Sequence, residues 1–500
     1  MKKQINLSTK AHLLRGAFYL LLLLAVCVIP FALAQRTTAK GNRPANVITV
    51  TNTNDSGPGS LRQALADAND GDTIEFAVTG TIELTTGELV IDKSITITGP
   101  GSDQLAVSAI PPQYHFRIFH VMASPTVIIE GLTIGPSLYF YGCGIQNDQA
   151  ILTINNCAVA GNTGLNFGAG ISNGGTLTVN NSSITGNVLE YQGTGAGISS
   201  SGTLIINNSI IRGNLSGKGY TDGGGIFSSG MLEITNSTIE GNSVSGSGGG
   251  ICNLGGAIIT SSTISGNFAG GGYPGPPRPG FGGGISSNGT GATLTISNST
   301  ISGNSVLTTD KGPGCGGGIG NSGSLQIANS TISGNSGTNG GAICNDAAPL
   351  EIANCILNAG DVGENIFNDG GTITSLGYNL SSDNGGGYLS GPGDQTNTDP
   401  ILGPLQDNGG PTQTHRPYPQ SPAIDAGDPS FTPPPLYDQR GTGFDRVVNG
   451  RIDIGSFEVQ EGKPTPPPTP SPTPTPTARP TPTPRVVPTP RPRVTPKPRP

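Results

Sequence analysis

The sequence contains no Trp, and only 5% of its 500 residues are aromatic and 11% charged. It contains 80 Gly instead. A chain of this length exceeds one ordinary globular core, and a glycine content this high excludes a predominantly helical one. These absences favour an architecture built from internal repeats.

Basic residues are scarce in the body of the chain. Four of the 25 Lys and Arg residues lie in residues 1–34 and seven in residues 463–500, whereas all 32 acidic residues lie between these ends. The body therefore holds 14 basic residues and has a net charge of −18, while the tail carries +7. An acidic body argues against nucleic acid as a partner, because phosphates would be repelled.

The two ends are expected to lie outside the folded body. Residues 1–34 combine a basic start, an apolar run and Ala32-Leu33-Ala34, which is typical of a cleaved signal peptide; an uncleaved membrane anchor is the alternative. Residues 35–45 form a predicted linker. Residues 460–500 are rich in Thr-Pro repeats, which favours a disordered, extended tail. We therefore expect an extracellular or cell-surface protein that meets the membrane only through export or anchoring.

A single pattern recurs eight times between residues 142 and 360: a Gly-rich triplet, Ile, a few small polar residues, then Leu-x-Ile-x-Asn-Ser-x-Ile-x-Gly-Asn. Segments such as Leu177-Thr178-Val179 alternate apolar with polar residues, as in a strand with one buried face. Strands this short need to pair with their copies in neighbouring repeats, about 4.8 Å away. We predict an all-β fold, a single-stranded right-handed parallel β-helix, taking the hand that parallel crossovers generally have.

Asparagine recurs at two positions of the repeat, which predicts structural ladders of side-chain amides along the stack. The first column holds Asn156, Asn181, Asn208, Asn236, Asn298, Asn329 and Asn354, with Ser261 as the exception. The second column holds Asn162, Asn187, Asn214, Asn242, Asn267, Asn304 and Asn335.

Six cysteines would remain after cleavage of the leader, and an even number in an exported chain permits disulfides. The repeat register indicates that most of them stand where other copies have Ser or Gly, as small buried residues. They are Cys143, Cys157, Cys252, Cys315, Cys344 and Cys355.

Residues 46–141 are predicted to form an N-terminal cap and the first irregular coils. Ser60 is a predicted N-cap with Gln63 as its capping-box partner, and Leu61, Leu65 and Ala68 would share one face of the helix that follows. A helix of this kind can cover the open end of a β-helix.

Both ends of the body resemble known sequences. Val50 to Phe76 resembles the CSLREA-type N-terminal region of bacterial surface β-helix proteins, with Gly59 where Cys would stand and Gln63 for Glu. Residues 399–411, 421–427, 438–441 and 453–458 resemble the choice-of-anchor Q domain, so residues 361–459 are expected to form C-terminal coils and a cap of that type. The resemblance covers about residues 46–459 and implies export and surface anchoring rather than a defined reaction.

No catalytic residue is predicted. The acidic residues of segment 142–345 do not share a column of the repeat, and His115, His120 and His415 lie outside the regular copies, so neither a triad nor a metal cluster is indicated. Charged residues concentrate near the C-terminus and predict a salt-bridged cap, with a Ca²⁺ site as the alternative and no other cofactor. They are Asp425, Asp428, Asp438, Arg440, Asp445, Arg446, Asp453 and Glu458.

Loop length varies at one corner of the repeat only. Between each Gly-Asn and the next Gly triplet lie 4 to 14 residues. Variable loops on a rigid scaffold often carry recognition, and aromatic faces can stack on sugars. We call this corner the loop edge, and its candidate binding residues are Phe167, Tyr191, Tyr220, Phe268, Tyr273 and Phe281.

Two functions are compatible with these features. The first is a non-catalytic, adhesin-like scaffold that binds cell-envelope polymer, extracellular polysaccharide or a host surface. The second is an extracellular polysaccharide lyase or glycoside hydrolase of the pectate-lyase-like β-helix type. Three or more ionisable side chains meeting within about 5 Å in a groove would favour the enzyme.

Overall fold

The computed structural model describes residues 45–109, 116–139, 144–217, 219, 221–271, 279–289, 291–310 and 312–460. The predicted signal peptide, most of the linker, the basic tail, Cys143, His115, Tyr220 and Tyr273 lie outside these residues. Within them, the fold is the predicted right-handed, all-parallel β-helix.

Each coil of the helix contributes strands to three faces. Face 1 is a sheet of 13 strands and face 2 a sheet of 11, and face 3 contains one or two short strands per coil. The chain passes from face 2 to face 1 to face 3 and then enters the next coil.

The strands of face 1 are Val47–Val50, Thr73–Phe76, Thr96–Thr98, Thr126–Glu130, Ile151–Asn155, Thr176–Asn180, Thr203–Asn207, Met231–Thr235, Gly256–Thr260, Thr293–Ser297, Ser324–Ala328, Pro349–Ala353 and Thr372–Gly377. The strands of face 2 are Leu89–Ile91, Phe119–Val121, Ile145–Asn147, Ile171–Asn173, Ile198–Ser200, Ile226–Ser228, Ile251–Asn253, Ile285–Ser287, Ile319–Asn321, Ile343–Asp346 and Ile366–Asp369.

The longer series on face 3 is Gly80–Glu83, Leu105–Ala109, Thr133–Tyr139, Ala158–Ala160, Ser183–Thr185, Ile210–Arg212, Thr238–Glu240, Thr263–Ser265, Thr300–Ser302, Thr331–Asn335, Ile356–Ala359 and Leu380–Ser381. The second series is Thr163–Gly164, Val188–Leu189, Leu215–Ser216, Ser243–Val244, Phe268–Ala269 and Ser305–Val306. Outside the three faces, Gly193–Thr194 pairs with Thr221–Asp222, Leu402–Gln406 pairs antiparallel with Thr414–Pro417, and Gly385–Gly387 forms a 3-10 turn.

The repeat places identical residues above one another. Leu152 pairs with Leu177, and Leu177 with Leu204, all fully buried inside the stack. The polar residues between them face outward, so the period-two pattern sets which side chains enter the core. One continuous apolar core results, running from Val50 to Leu389.

The first asparagine column lies at the turn between faces 1 and 3. Its seven residues and Ser261 have φ angles of 48° to 53°, the left-handed region that Asn tolerates better than most residues. Within this column, Asn354 donates to Asn329 and Asn298 donates to Ser261. The main role of the position is thus a backbone turn.

The second asparagine column is buried at the turn within face 3. From Asn162 to Asn335, each Nδ2 donates to the Oδ1 of the next Asn at 2.9–3.0 Å. Each Nδ2 also donates to a main-chain carbonyl, for example Asn242 to Ile211 at 2.9 Å. These amides satisfy polar groups that the coil would otherwise bury unpaired.

In the described part of the chain, one short α-helix, α1 (Leu61–Asp67), covers the N-terminal end of the core with Leu61, Ala64 and Leu65. Ser60 Oγ accepts from the N–H of Gln63, as predicted for the N-cap. The Gln63 side chain does not return to Ser60, because it donates to Asp67 instead at 2.8 Å. No helix among the described residues is long and apolar enough to cross a membrane.

Residues 399–459, called here the C-terminal segment, lie along face 3 instead of continuing the stack. Thr263 Oγ1 donates to the Gln413 carbonyl at 2.6 Å, Thr300 Oγ1 to Gln439 at 2.6 Å, and Ser456 N–H to Thr331 Oγ1 at 3.1 Å. The segment therefore covers the outward threonines of three successive coils. The end of the core is covered separately, by Leu389 and Tyr388.

Candidate functional site

The loop edge presents two of its predicted binding residues openly. Phe167 is 53% exposed and Tyr191 54% exposed, on adjacent coils. Phe268 and Phe281 are half-buried, and Tyr220 and Tyr273 lie outside the described residues. Among the described residues of this edge, the open aromatic surface is therefore concentrated at the two earlier coils.

The residues that precede each Gly triplet lie over the outer side of face 2. In register they are Phe167, Thr194, Asp222, Ser247, Phe281 and Cys315. Thr194 Oγ1 is 2.9 Å from Ser199 Oγ on face 2. The ring of Phe281 lies where a side chain at Gly320 would have to be. The loop edge and the outer side of face 2 are thus parts of one surface.

That surface changes character along the stack. The outward residues from His120 to Phe227 are half-buried, and Val90 is 46% exposed. From Cys252 to Cys344 the equivalent residues are buried, and Phe367 of the last coil is half-buried again. A disulfide joins Cys315, of the row that precedes the Gly triplets, to Cys344 of face 2. We call the less buried part the open strip; its outward residues are Val90, His120, Gln146, Ser172, Ser199 and Phe227.

A cluster of ionisable side chains lies at the N-terminal end of the open strip. His120 Nδ1 is 3.0 Å from Glu88 Oε1, and His120 Nε2 is 2.9 Å from Asp148 Oδ2. Arg117 Nε donates to Glu88 Oε2 at 2.6 Å. Four ionisable groups from three coils therefore meet at one partly exposed place.

Sequence reasoning missed this cluster, because His120 was set aside as lying outside the regular repeats. The register shows that His120 occupies the position of Gln146 one coil earlier. Extending the pattern backward by one coil would have placed His120 next to Asp148, which follows Gln146 by two residues. The irregular length of the early coils hid this relation.

The geometry of the cluster limits its chemistry. Hydrolysis of a glycosidic bond needs two carboxyl groups with room between them for sugar or water. Here the imidazole of His120 fills the gap between Glu88 and Asp148, and each ring nitrogen contacts a carboxylate. A metal ion or a nucleophile would find no unengaged ring nitrogen in this arrangement.

A cavity of about 270 Å³ adjoins the cluster through Glu88. The Arg62 side chain at its wall donates to the carbonyls of Gly87 and Glu88, and Lys93 donates to the carbonyls that end α1. It is lined by Arg62, Leu65, Ala66, Glu88, Leu89, Val90, Asp92 and Lys93.

Six of the eight charged residues predicted near the C-terminus form two groups, which are buried except for the half-buried Asp425. Of the other two, Asp428 accepts from the N–H of Ser430 and Asp445 is exposed. In the first group, Arg440 donates to Asp438 through Nε and Nη2, and its guanidinium stacks on Phe444 and Phe457 at 3.9 and 3.6 Å. Arg440 also donates to the Glu458 carbonyl. This pair fastens the C-terminal segment internally.

In the second group, Asp425, Asp453 and Glu458 each offer an oxygen within 4.8 Å of the other two. Burial raises the pKa of Asp453 to about 6 and that of Glu458 to about 8. Three carboxylates suit Ca²⁺, but the fully buried Arg446, with Nη1 4.0 Å from Glu458, already supplies a positive charge there. The Ca²⁺ site stays a prediction that calorimetric titration can test.

The five cysteines that the structure describes divide between one disulfide bond and three buried thiols. Cys315 and Cys344 form a disulfide, while Cys157, Cys252 and Cys355 are buried and free. Burial raises the pKa of the Cys157 thiol to about 11 and that of Cys355 to about 12. Thiols with such pKa values are inert as nucleophiles at neutral pH.

No protein-family model and no curated protein matches this sequence. Among solved structures, the crystal structure of pectate lyase Pel9A is similar to this chain with a TM-score of 0.46 and 16% identity, over 84% of this chain and 98% of that one. A similarity of this size carries no argument about substrate or reaction. The resemblances to the CSLREA-type region and the choice-of-anchor Q domain stay predictions.

Proposed function

We propose that this protein is an extracellular or cell-surface scaffold that binds polysaccharide without cleaving it. The observation that carries the proposal is the pair of open aromatic rings, Phe167 and Tyr191, on adjacent coils of a rigid stack. Aromatic faces contribute large contact areas at low entropic cost, and sugar rings stack on them. The arrangement of His120 between its two carboxylates also favours binding over hydrolysis.

A glycan array and a retention assay test this proposal with Phe167→Ala plus Tyr191→Ala. We expect retention to fall by about tenfold or more, since each lost stacking contact contributes roughly 1 kcal/mol. The melting temperature should not change, because both side chains are more than half exposed. Leu254→Ala, which removes a 42% exposed apolar side chain elsewhere, is the matched control. Unchanged retention in the double variant contradicts the proposal.

The second candidate is a polysaccharide lyase or glycoside hydrolase. Its supporting observation is the meeting of Glu88, Arg117, His120 and Asp148 at a partly exposed place. New reducing ends or unsaturated products from neutral or acidic polysaccharides, lost in His120→Ala, would establish this function. Absence of turnover across the panel, together with binding, supports the scaffold.

Anchoring is proposed to involve the basic tail beyond Gly462, whose +7 charge matches anionic cell-envelope polymer. Cells expressing the full chain and a variant truncated at Gly462 would be washed with increasing salt. The full chain should be released only at higher salt, because screening weakens the attraction. Equal release of the two proteins contradicts a role for the tail.

A further inference from the structure

We propose that the open strip binds a linear polysaccharide without acidic groups, lying parallel to the axis of the stack. This inference rests on the proposed function and specifies its surface and ligand class. It starts from a contrast within one sheet: the outward residues of face 2 are exposed or half-buried from Val90 to Phe227 and buried from Cys252 to Cys344.

The spacing of the strip suits a polymer. Its outward side chains repeat once per coil, about 4.8 Å apart, which is comparable with the length of one hexose unit. Gln146, Ser172 and Ser199 follow one another in register. Gln146 Nε2 already donates to Asp148 Oδ1, and Ser199 Oγ contacts Thr194 Oγ1, so a ligand would use the second amide hydrogen and the carbonyl oxygen of Gln146 and the remaining capacity of the hydroxyls. A chain of sugars along the axis could therefore meet a new polar group at each unit.

The ends and rim of the strip fit the same ligand. Phe227 lies at one end, next to the buried Cys252, and the His120 cluster lies near the other. Five coil spacings separate Val90 from Phe227, roughly 24 Å, which would hold about five sugar units. Phe167 is in register with Thr194, which contacts Ser199, so its exposed ring lies on the Ser172 side of the strip and can stack on a sugar there.

The charges around the strip decide the ligand class. Glu88, Asp92, Asp148 and Asp222 are the carboxylates that border it. Arg62, Lys93 and Arg117 are the permanent cations beside them in the described part of the chain, and each already pairs with a carboxylate. The excess of negative charge, on a body of net charge −18, repels uronates and tolerates neutral sugars.

The experiment compares two double variants of the full mature protein by calorimetry, with a β-1,4-glucan hexasaccharide and a galacturonate hexasaccharide as probes. Gln146→Ala plus Ser172→Ala removes polar groups from the open strip. Thr153→Ala plus Thr178→Ala removes outward, half-buried residues of face 1 from the same two coils and is the control. We expect about tenfold weaker glucan binding in the strip variant, the effect of two lost hydrogen bonds, and no change in the control.

Each other outcome has a defined meaning. If both double variants bind the glucan as the unmodified protein does, while Phe167→Ala plus Tyr191→Ala weakens binding, the strip is not the site and the proposed function stands. If the galacturonate probe binds as tightly as the glucan, the assigned ligand class is wrong. If neither probe nor any glycan on the array binds the unmodified protein, the inference and the proposed function both fail.

Discussion

Replacing one amide of the buried asparagine column should destabilise the stack far more than replacing one amide of the turn column. Asn242 accepts from the N–H and the Nδ2 of Asn214, at 3.0 and 2.9 Å, and donates to Ile211 and Asn267, at 2.9 and 3.0 Å. Asn242→Ala removes all four bonds and leaves the buried N–H of Asn214 without its acceptor.

The magnitude follows from those contacts. An unpaired buried N–H costs about 1–3 kcal/mol, and each of the three other lost bonds about 0.5–1.5 kcal/mol. The expected loss in the free energy of unfolding is therefore about 3–7 kcal/mol. The matched change is Asn236→Gly on the neighbouring turn, at φ 50°, a backbone conformation that Gly adopts without strain. Its cost should stay within about 1 kcal/mol.

Urea denaturation followed by hydrogen exchange is the appropriate assay, because a solenoid can open locally and a single global midpoint can miss the damage. Exchange should accelerate in the coils around Asn242 and stay unchanged in Asn236→Gly. Equal effects of the two substitutions, or a loss below about 1 kcal/mol for Asn242→Ala, would refute the assignment of hydrogen bonding to the buried column.

Three further predictions concern the ends and the fastenings of the stack. Because the pKa of Glu458 is raised to about 8 in the fold, its stabilising contribution is complete below pH 4.5 and lost as the pH rises through 8. The melting temperature of Glu458→Gln should therefore depend less on pH, between pH 5 and 8, than that of the unmodified protein. An unaltered dependence of the melting temperature on pH would contradict this. Cys315→Ser should destabilise the fold by about 3–4 kcal/mol in non-reducing buffer, the loop entropy for a separation of 29 residues, and have no effect once reductant opens the bond. Ser60→Ala should lower the stability of α1 by about 1 kcal/mol and speed hydrogen exchange at Val47–Val50, whereas unchanged exchange there would show that the cap is dispensable.

The sequence predicted the coils well because their contacts repeat. Once Leu177 is assigned inward, its copies in neighbouring coils follow. The same register places Arg212 beside Glu240 on the next coil, where the two form an ion pair. The buried asparagine column also follows from periodicity, since a polar residue that recurs in every coil must bond to its own copies.

Contacts between unlike parts of the chain could not be predicted in this way. The hydrogen bonds of Thr263 and Thr300 to the C-terminal segment join residues 139 or more positions apart. No repeated sequence pattern predicts them. The His120 cluster was missed for a related reason, because Glu88 and Arg117 belong to coils of irregular length. Periodicity predicts the contacts that a coil shares with its copies, and it does not predict contacts that occur in one coil only.

The contacts between the C-terminal segment and three successive threonines have a consequence for how this protein can change in length. Coils before residue 263 could be duplicated or deleted, because they pair with neighbouring coils and do not meet this segment in the same way. Between Thr263 and Thr331 that freedom is lost, since the segment meets each coil with a different side chain and an inserted coil would shift its later contacts by one strand spacing. The C-terminal segment therefore fixes the number of coils that it spans. Natural variation in coil number is expected before residue 263 and not between residues 263 and 331.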